Sequence, residues 1–282
     1  MSGQASSGTK GRTASRPLAL VTGASAGLGA AFARAYAQRG FDVALTARRE
    51  ARLRALADEL NAAHGIEALV IPADLARFEG HAPVLAAIAD QGRVVDVLVN
   101  NAGFGVAQDF TAVPWERQRD FLMTLAVAPC GLAYGVIPGM AERGRGAIIN
   151  VASLAGFAPG VAGNSLYPGV KSLMIKFSQS LDAEYRLKGI KVTALCPGFT
   201  KTEFAEVAGI QAAMESAPRL FWQSAEAVVE AAIRANDAGR VVIVPGWHNK
   251  LAAFLMRRLP QGFVRAAIAV GSSKYRVAGE AI

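Results

Sequence analysis

The sequence predicts an α/β fold, a doubly wound parallel sheet with helices on both faces, built as one domain. Three observations predict it. Short, strongly apolar runs alternate with amphipathic segments, a glycine-rich turn joins the first run to the first amphipathic segment, and no linker or repeat interrupts the pattern between Pro17 and Pro245. Strands apolar on both pleat faces are expected where helices cover both sides of a parallel sheet. Regular β–α alternation then implies right-handed crossovers and ligands at the carboxyl ends of the strands.

Taken in order, the apolar runs are Leu18–Thr22, Asp42–Thr46, Ala68–Ile71, Val95–Val99, Ala147–Val151, Lys191–Leu195 and Val241–Val244. The helical segments between them are Ala30–Gln38, Ala51–His64, Trp115–Met140, Leu166–Leu187 and Ala225–Asn236. Residues 1–16 form a basic, Ser- and Gly-rich tail expected to be flexible, residues 17–245 the domain, and residues 246–282 a basic amphipathic extension.

Composition narrows the function classes. A chain of 282 residues with 52% apolar side chains and a mean hydropathy of +0.28 is too apolar for disorder. It is long enough to bury a core without disulfide or metal staples. Two cysteines, Cys130 and Cys196, and three histidines, His64, His81 and His248, are scattered, so neither a disulfide framework nor a metal site is expected. The net charge of +8 resides in the ends: Lys10, Arg12 and Arg16 in the tail, and six cations against Glu280 in the extension, leaving residues 17–245 balanced. A nucleic-acid partner is therefore not expected. The tail lacks a secretory apolar region, and no run approaches ~18 consecutive apolar residues, so a cytoplasmic location without a transmembrane helix is expected.

The first strand runs into Thr22-Gly23-Ala24-Ser25-Ala26-Gly27-Leu28-Gly29, with a helical pattern behind it. Glycines allow a tight turn and close approach of backbone to a pyrophosphate, which the free N–H groups of the following helix attract. Further on come Asp74, Asn100-Asn101-Ala102-Gly103, Ser153, Tyr167-Pro168-Gly169-Val170-Lys171 and Pro197-Gly198-Phe199-Thr200-Lys201-Thr202, each after a strand or in a helix. In this order and spacing they resemble the short-chain dehydrogenase/reductases, in their single-domain Rossmann-type branch, over Pro17–Pro245.

Eighteen residues beyond Gly29 stands Ala47, followed by Arg48 and Arg49, where a carboxylate for a ribose 2′-hydroxyl is usual in NAD-specific sites. A guanidinium there suits a 2′-phosphate, so NADP(H) is the expected cofactor, with Arg48 and the Ser25 hydroxyl on the phosphate. The resemblance implies a cofactor groove of Thr22, Gly23, Ser25, Gly27, Leu28, Gly29, Arg48, Asp74, Asn101, Ala102, Gly103, Tyr167, Lys171, Pro197, Gly198, Thr200 and Thr202. In it Asp74 would meet the adenine edge and Thr202 the carboxamide or phosphate side; Asp74 read alone suits a helix N-cap equally.

Tyr167 and Lys171 are four residues apart on a predicted helix and so share a face. A lysine ammonium beside a phenol favours the phenolate, lowering a pKa that is ordinarily ~10 and enabling general acid–base work. The resemblance makes Ser153 the donor to a substrate carbonyl oxygen, and Lys171 a ligand of the nicotinamide ribose. Pro168 fits a helix only in its first turn, with Ser165 or Asn164 as cap. One departure stands out. Where many members carry a catalytic asparagine, this chain reads Leu125-Ala126-Val127-Ala128-Pro129.

After Thr202 come Phe204, Val207, Ile210, Met214, Leu220, Phe221 and Trp222, which point to a lipophilic carbonyl or alcohol or simply pack against the domain. The extension interleaves Trp247, Leu251, Phe254, Leu255, Leu259, Phe263, Val264 and Ile268 with cations and is broken at Pro260-Gln261-Gly262. Such segments serve packing or peripheral membrane contact through 247–270. The expected protein is an NADP(H)-dependent oxidoreductase interconverting a ketone and a secondary alcohol, as a homodimer or homotetramer. The alternative, raised by Ala126, is a catalytically impaired dinucleotide-binding protein with a sensing or assembly role.

Overall fold

In the computed structural model, which describes residues 16–160, 162–163, 165–203 and 221–272, each apolar run pairs with a neighbour to form one sheet. The strands are β1 (Leu18–Thr22), β2 (Asp42–Ala47), β3 (Ala68–Pro72), β4 (Val97–Asn100), β5 (Gly146–Val151), β6 (Ile190–Leu195) and β7 (Val242–Ile243). Their order is β3-β2-β1-β4-β5-β6-β7, and every pairing is parallel. The chain leaves β1 in one direction and returns beside it from the other, so a crevice opens at the carboxyl ends of β1 and β4.

Helices cover both faces, as the doubly apolar strands require. On one face lie α1 (Gly27–Gln38), α2 (Glu50–His64) and α7 (Ala225–Asp237), burying Phe32, Leu53, Leu60, Val228 and Ile233. On the other lie α3 (Ala82–Asp90), α5 (Ala128–Glu142) and α6 (Tyr167–Tyr185), burying Val84, Leu132, Met140 and Leu181. Helix α3 is not among those the periodicity picks out: its nine residues are few for a pattern, and Gly80 and Pro83 read as loop. Pro83 in fact sits in its first turn, where the missing N–H costs nothing.

The segment read as one helix from Trp115 is continuous to Glu142 but changes pitch. Helix α4 (Trp115–Leu122) passes through a π turn at Met123–Val127, where the Ala128 N–H reaches back to the Met123 carbonyl, before α5 begins. Pro129 has no N–H to offer the Leu125 carbonyl, so the regular ladder breaks at this point. Trp115–Glu142 is long and apolar enough to cross a bilayer, yet half of its most apolar window is buried in the domain. The extension folds as α8 (Trp247–Arg258) and α9 (Gln261–Ser272), divided at Pro260 as expected.

Candidate active site

The glycine turn is closed by side chains from β1 and the loop after β4. Thr22 donates its hydroxyl to the Val99 carbonyl (3.2 Å) and accepts the N–H groups of Asn101 (2.9 Å) and Ala102 (3.0 Å). The Asn101 amide donates to the Thr22 carbonyl (2.8 Å), fixing the two strand ends at the crevice. Gly23 has φ +66°, in the left-handed region, and a Cβ on Gly29 would stand 2.2 Å from the Gly23 oxygen and 2.6 Å from Asn101 Nδ2. No larger residue fits at Gly29. Helix α1 opens at Gly27, beside Leu28, with no side-chain cap and no acid in its first turn, so its N–H groups are free to meet an anion. This cradle fits a dinucleotide pyrophosphate. Thr202 lies against it: a Cβ on Gly27 would be 3.0 Å from the Thr202 Cβ. Gly103 faces Leu125, and Thr200 donates to the Gly198 carbonyl (3.2 Å).

At the carboxyl end of β2, Arg48 is exposed and makes no ion pair among the described residues. Arg49 instead donates to Ser25 Oγ (3.1 and 3.0 Å) and pairs with Glu203 (3.0 Å), which Arg52 also grips (2.7 Å). Hydrogen bonds from Arg49 and then Arg52 hold the Glu203 carboxyl below its usual range. Arg49, Arg52 and the Ser25 hydroxyl thus gather in one corner beyond β2, around the Glu203 carboxylate. Arg52 and Glu203 had no local signal, because the pair joins positions 151 residues apart. Asp74 Oδ1 accepts the Ala76 N–H (3.1 Å) and closes a turn; α3 begins only at Ala82, so the N-cap reading of Asp74 does not hold.

Tyr167 opens α6 as its first residue, with Pro168 next, in the first turn where it is tolerated. The cap position is Leu166, without a side-chain bond, so Ser165 does not cap the helix; Asn164 lies outside the described residues. The Tyr167 hydroxyl hydrogen-bonds with Ser153, which also accepts the Ala155 N–H (3.1 Å) at the start of the 3-10 turn Leu154–Phe157. One turn along α6, Lys171 is buried, donates from Nζ to the Val151 carbonyl (2.8 Å), and lies 5.6 Å from the Tyr167 ring centroid. The strand end beneath is braced by a buried amide chain: Asn100 donates to Asn150 Oδ1 (2.9 Å), and Asn150 to Ser178 Oγ (2.9 Å).

The electrostatics depart from the expectation. Burial pushes the Tyr167 phenol up, and the opposing influence is the hydrogen bond to Ser153 rather than the lysine. Lys171 is itself lowered to about 8 by burial, with Cys196 raising it slightly, and the Cys196 thiol is pushed up to about 12 by burial. Lys171 stays mostly charged at neutral pH, but its ammonium is directed at the Val151 carbonyl and is not among the influences that lower the phenol.

Beside Tyr167 a small cleft is lined by Val106, Phe121 and Leu166 together with Gln108, Gln118 and Ser165. Ala126, in the π turn, packs against the same apolar cluster as Tyr167, with Phe104, Phe121, Leu125 and Val170. An asparagine at Ala126 would put an amide among these side chains, so Ala126→Asn is expected to cost on the order of 1–3 kcal/mol in thermal unfolding. An unchanged melting temperature with a faster single turnover would show instead that the missing amide limits proton supply.

Of the apolar residues after Thr202, Phe204, Val207, Ile210, Met214 and Leu220 lie outside the described residues. Trp222 packs at a tilt against Phe199 (5.9 Å between ring centroids), and Phe221 meets His248 edge to face (5.4 Å). The extension also reaches the site. Asn249 is buried against Gly198, where a Cβ would meet its Oδ1 at 2.4 Å, and it donates to the Pro245 carbonyl (2.9 Å). A lone amide amid the apolar stripe of α8 was the only trace of this contact in the sequence. Pro197 accepts the Leu154 N–H (2.9 Å), tying the loop after β6 to the Ser153 turn.

The short chain dehydrogenase family model matches residues 17–212. The chain belongs to the short-chain dehydrogenase family. Its sequence is 37% identical over 185 residues to an uncharacterised oxidoreductase of Myxococcus xanthus, covering 66% of this chain and 72% of that one. A short-chain dehydrogenase from Sphingobium yanoikuyae, solved in complex with NADPH, is 33% identical with a TM-score of 0.76, covering 87% of this chain and 96% of that one. The bulky-bulky ketone specific alcohol dehydrogenase from Comamonas testosteroni is 30% identical with a TM-score of 0.72, covering 87% and 95%. The glycine cradle and the Ser153–Tyr167–Lys171 cluster of this short-chain dehydrogenase both lie at the carboxyl edge of its sheet.

Proposed function

We propose that this short-chain dehydrogenase uses NADP(H) to interconvert a ketone and a secondary alcohol on a lipophilic substrate. The observation that carries the reading is the Tyr167 hydroxyl bonded to Ser153, with Lys171 one helical turn away, beside a small cleft in which Val106, Phe121 and Leu166 alternate with Gln108, Gln118 and Ser165. The NADPH complex of the Sphingobium enzyme and the bulky-ketone specificity of the Comamonas enzyme support the cofactor and the substrate class. When bound, NADPH supplies the hydride. Ser153 would donate a hydrogen bond to the substrate carbonyl oxygen, polarising it, and Tyr167 would deliver the proton to the developing alkoxide. As the acid in reduction Tyr167 acts in its protonated form, the form that burial favours. Lys171 would orient the nicotinamide ribose from its anchor on the Val151 carbonyl. Turnover of lipophilic ketones by NADPH tests the whole reading.

For the cofactor, NADPH is expected to bind about tenfold more tightly than NADH or better, ~1.4 kcal/mol, and Arg48→Ala to erase most of that preference. Glu203→Gln should tighten NADPH a few-fold and leave NADH unchanged, because Arg49 and Arg52 then have no carboxylate to surrender. Titration by cofactor fluorescence checks both. Equal affinity of the unsubstituted protein for the two cofactors contradicts the assignment.

Assembly as a homodimer or homotetramer belongs to the same reading. Val127, Tyr134 and Leu173 stand exposed on the α4–α5 and α6 surface, Tyr134 at 84%. Sedimentation at equilibrium would show it. The alternative of a catalytically impaired dinucleotide-binding protein rests on Ala126, and cofactor binding without turnover on a broad ketone panel would favour it.

A further inference from the structure

We propose that α8 and α9 form a docking face for an anionic lipid surface. Helix α8 is anchored through buried Asn249 and Ala253, and α9 through buried Val264. On the opposite side of α8, Trp247 (68% exposed), Leu251, Phe254 and Leu255 turn away from the domain, and Phe263 of α9 is 64% exposed. Aromatic and aliphatic side chains of this size, left in water on adjacent helices, make a patch that a binding partner covers.

The charges select the partner. Lys250, Arg257, Arg258 and Arg265 surround the apolar side chains, and residues 246–272 hold no acid to balance them. Arg258 lies 5.8 Å from the Phe254 ring centroid, so cation and aromatic are presented together. Trp and Phe at headgroup depth, with cations against anionic lipid, is the arrangement of an interfacial helix. A second copy of the chain fits poorly. Two-fold pairing through this face would set the same arginines against one another with no carboxylate between them.

Docking here also serves the proposed function, on which this consequence rests. Helix α8 packs on the 3-10 turn that follows Ser153, with Arg257 5.9 Å from the Phe157 ring centroid, and its Asn249 sits on Gly198. A bilayer on the outer face of α8 would therefore lie one helix away from the substrate side, where a lipid-dissolved carbonyl could enter.

The full chain is sedimented with phosphatidylcholine vesicles, with and without phosphatidylserine, at rising salt. The expected result is pelleting that requires phosphatidylserine and is lost at high salt. Leu251→Ser/Phe254→Ser and Lys250→Glu/Arg258→Glu should each weaken it by about tenfold or more, with turnover of a water-soluble ketone unchanged. In the unsubstituted fold, brominated lipid should quench a tryptophan signal that Trp247→Phe removes, a readout that needs no disruptive variant. Absence of pelleting, pelleting indifferent to both pairs of substitutions, or a loss of self-association in place of vesicle binding overturns the proposal. Because vesicle binding is read without turnover, its failure leaves the oxidoreductase reading standing, and the reverse holds equally.

Discussion

Replacement of Tyr167 by phenylalanine should lower ketone turnover by about 10²–10⁴-fold, the usual worth of a positioned acid–base group, while NADPH binding persists. The ring stays in its cluster with Phe121 and Val170, so packing survives and only the hydroxyl is lost. Ser153 keeps its own anchor on the Ala155 N–H and would still polarise a carbonyl, which sets the residual rate above that of water. Stopped-flow reduction with saturating NADPH measures the loss directly. Retention of the original rate would place the proton donor elsewhere.

A second large effect concerns Lys171 and pH. Burial lowers its pKa from an ordinary 10.5 to about 8. The unfolded chain then binds the proton more readily than the folded one between these values, so this group makes stability rise as pH climbs from about 8 toward 10.5. Below about 8 the cost of holding a buried ammonium is fully present. The full span corresponds to roughly 3 kcal/mol. Tyr167 and Cys196, both raised by burial, act in the opposite sense and occur in both proteins. The difference in stability between the parent and Lys171→Met across that pH range therefore isolates the lysine. Urea unfolding of both proteins at pH steps tests it. A constant difference would mean that the folded lysine titrates like a solvated one.

The strands, their parallel pairing and the glycine turn were legible because each is written in local residues: apolar runs, a Gly-x-x-x-Gly-x-Gly spacing and a helix behind it. The approach of Tyr167 and Lys171 was legible too, since four residues on a helix fix a common face. Long-range contacts were not. The Val151 carbonyl that binds Lys171, the Glu203 clasp on Arg49 and Arg52, and the seat of Asn249 on Gly198 each join segments at least 20 residues apart. The electrostatic expectation for Tyr167 failed for a related reason. Spacing sets which groups meet, but burial of both groups, invisible in the sequence, decided the direction of the shifts. Asp74 followed the same pattern: its residue type suits a cap, and the chain uses it to close a turn.

NADPH consumption in the presence of lipophilic ketones, followed together with the alcohol formed, tests the central claim most directly. The account predicts equimolar conversion to a secondary alcohol, faster with NADPH than with NADH and lowered by about 10²–10⁴-fold in Tyr167→Phe. Tight NADPH binding with no ketone reduced across a broad panel, or reduction that Tyr167→Phe leaves untouched, would contradict it.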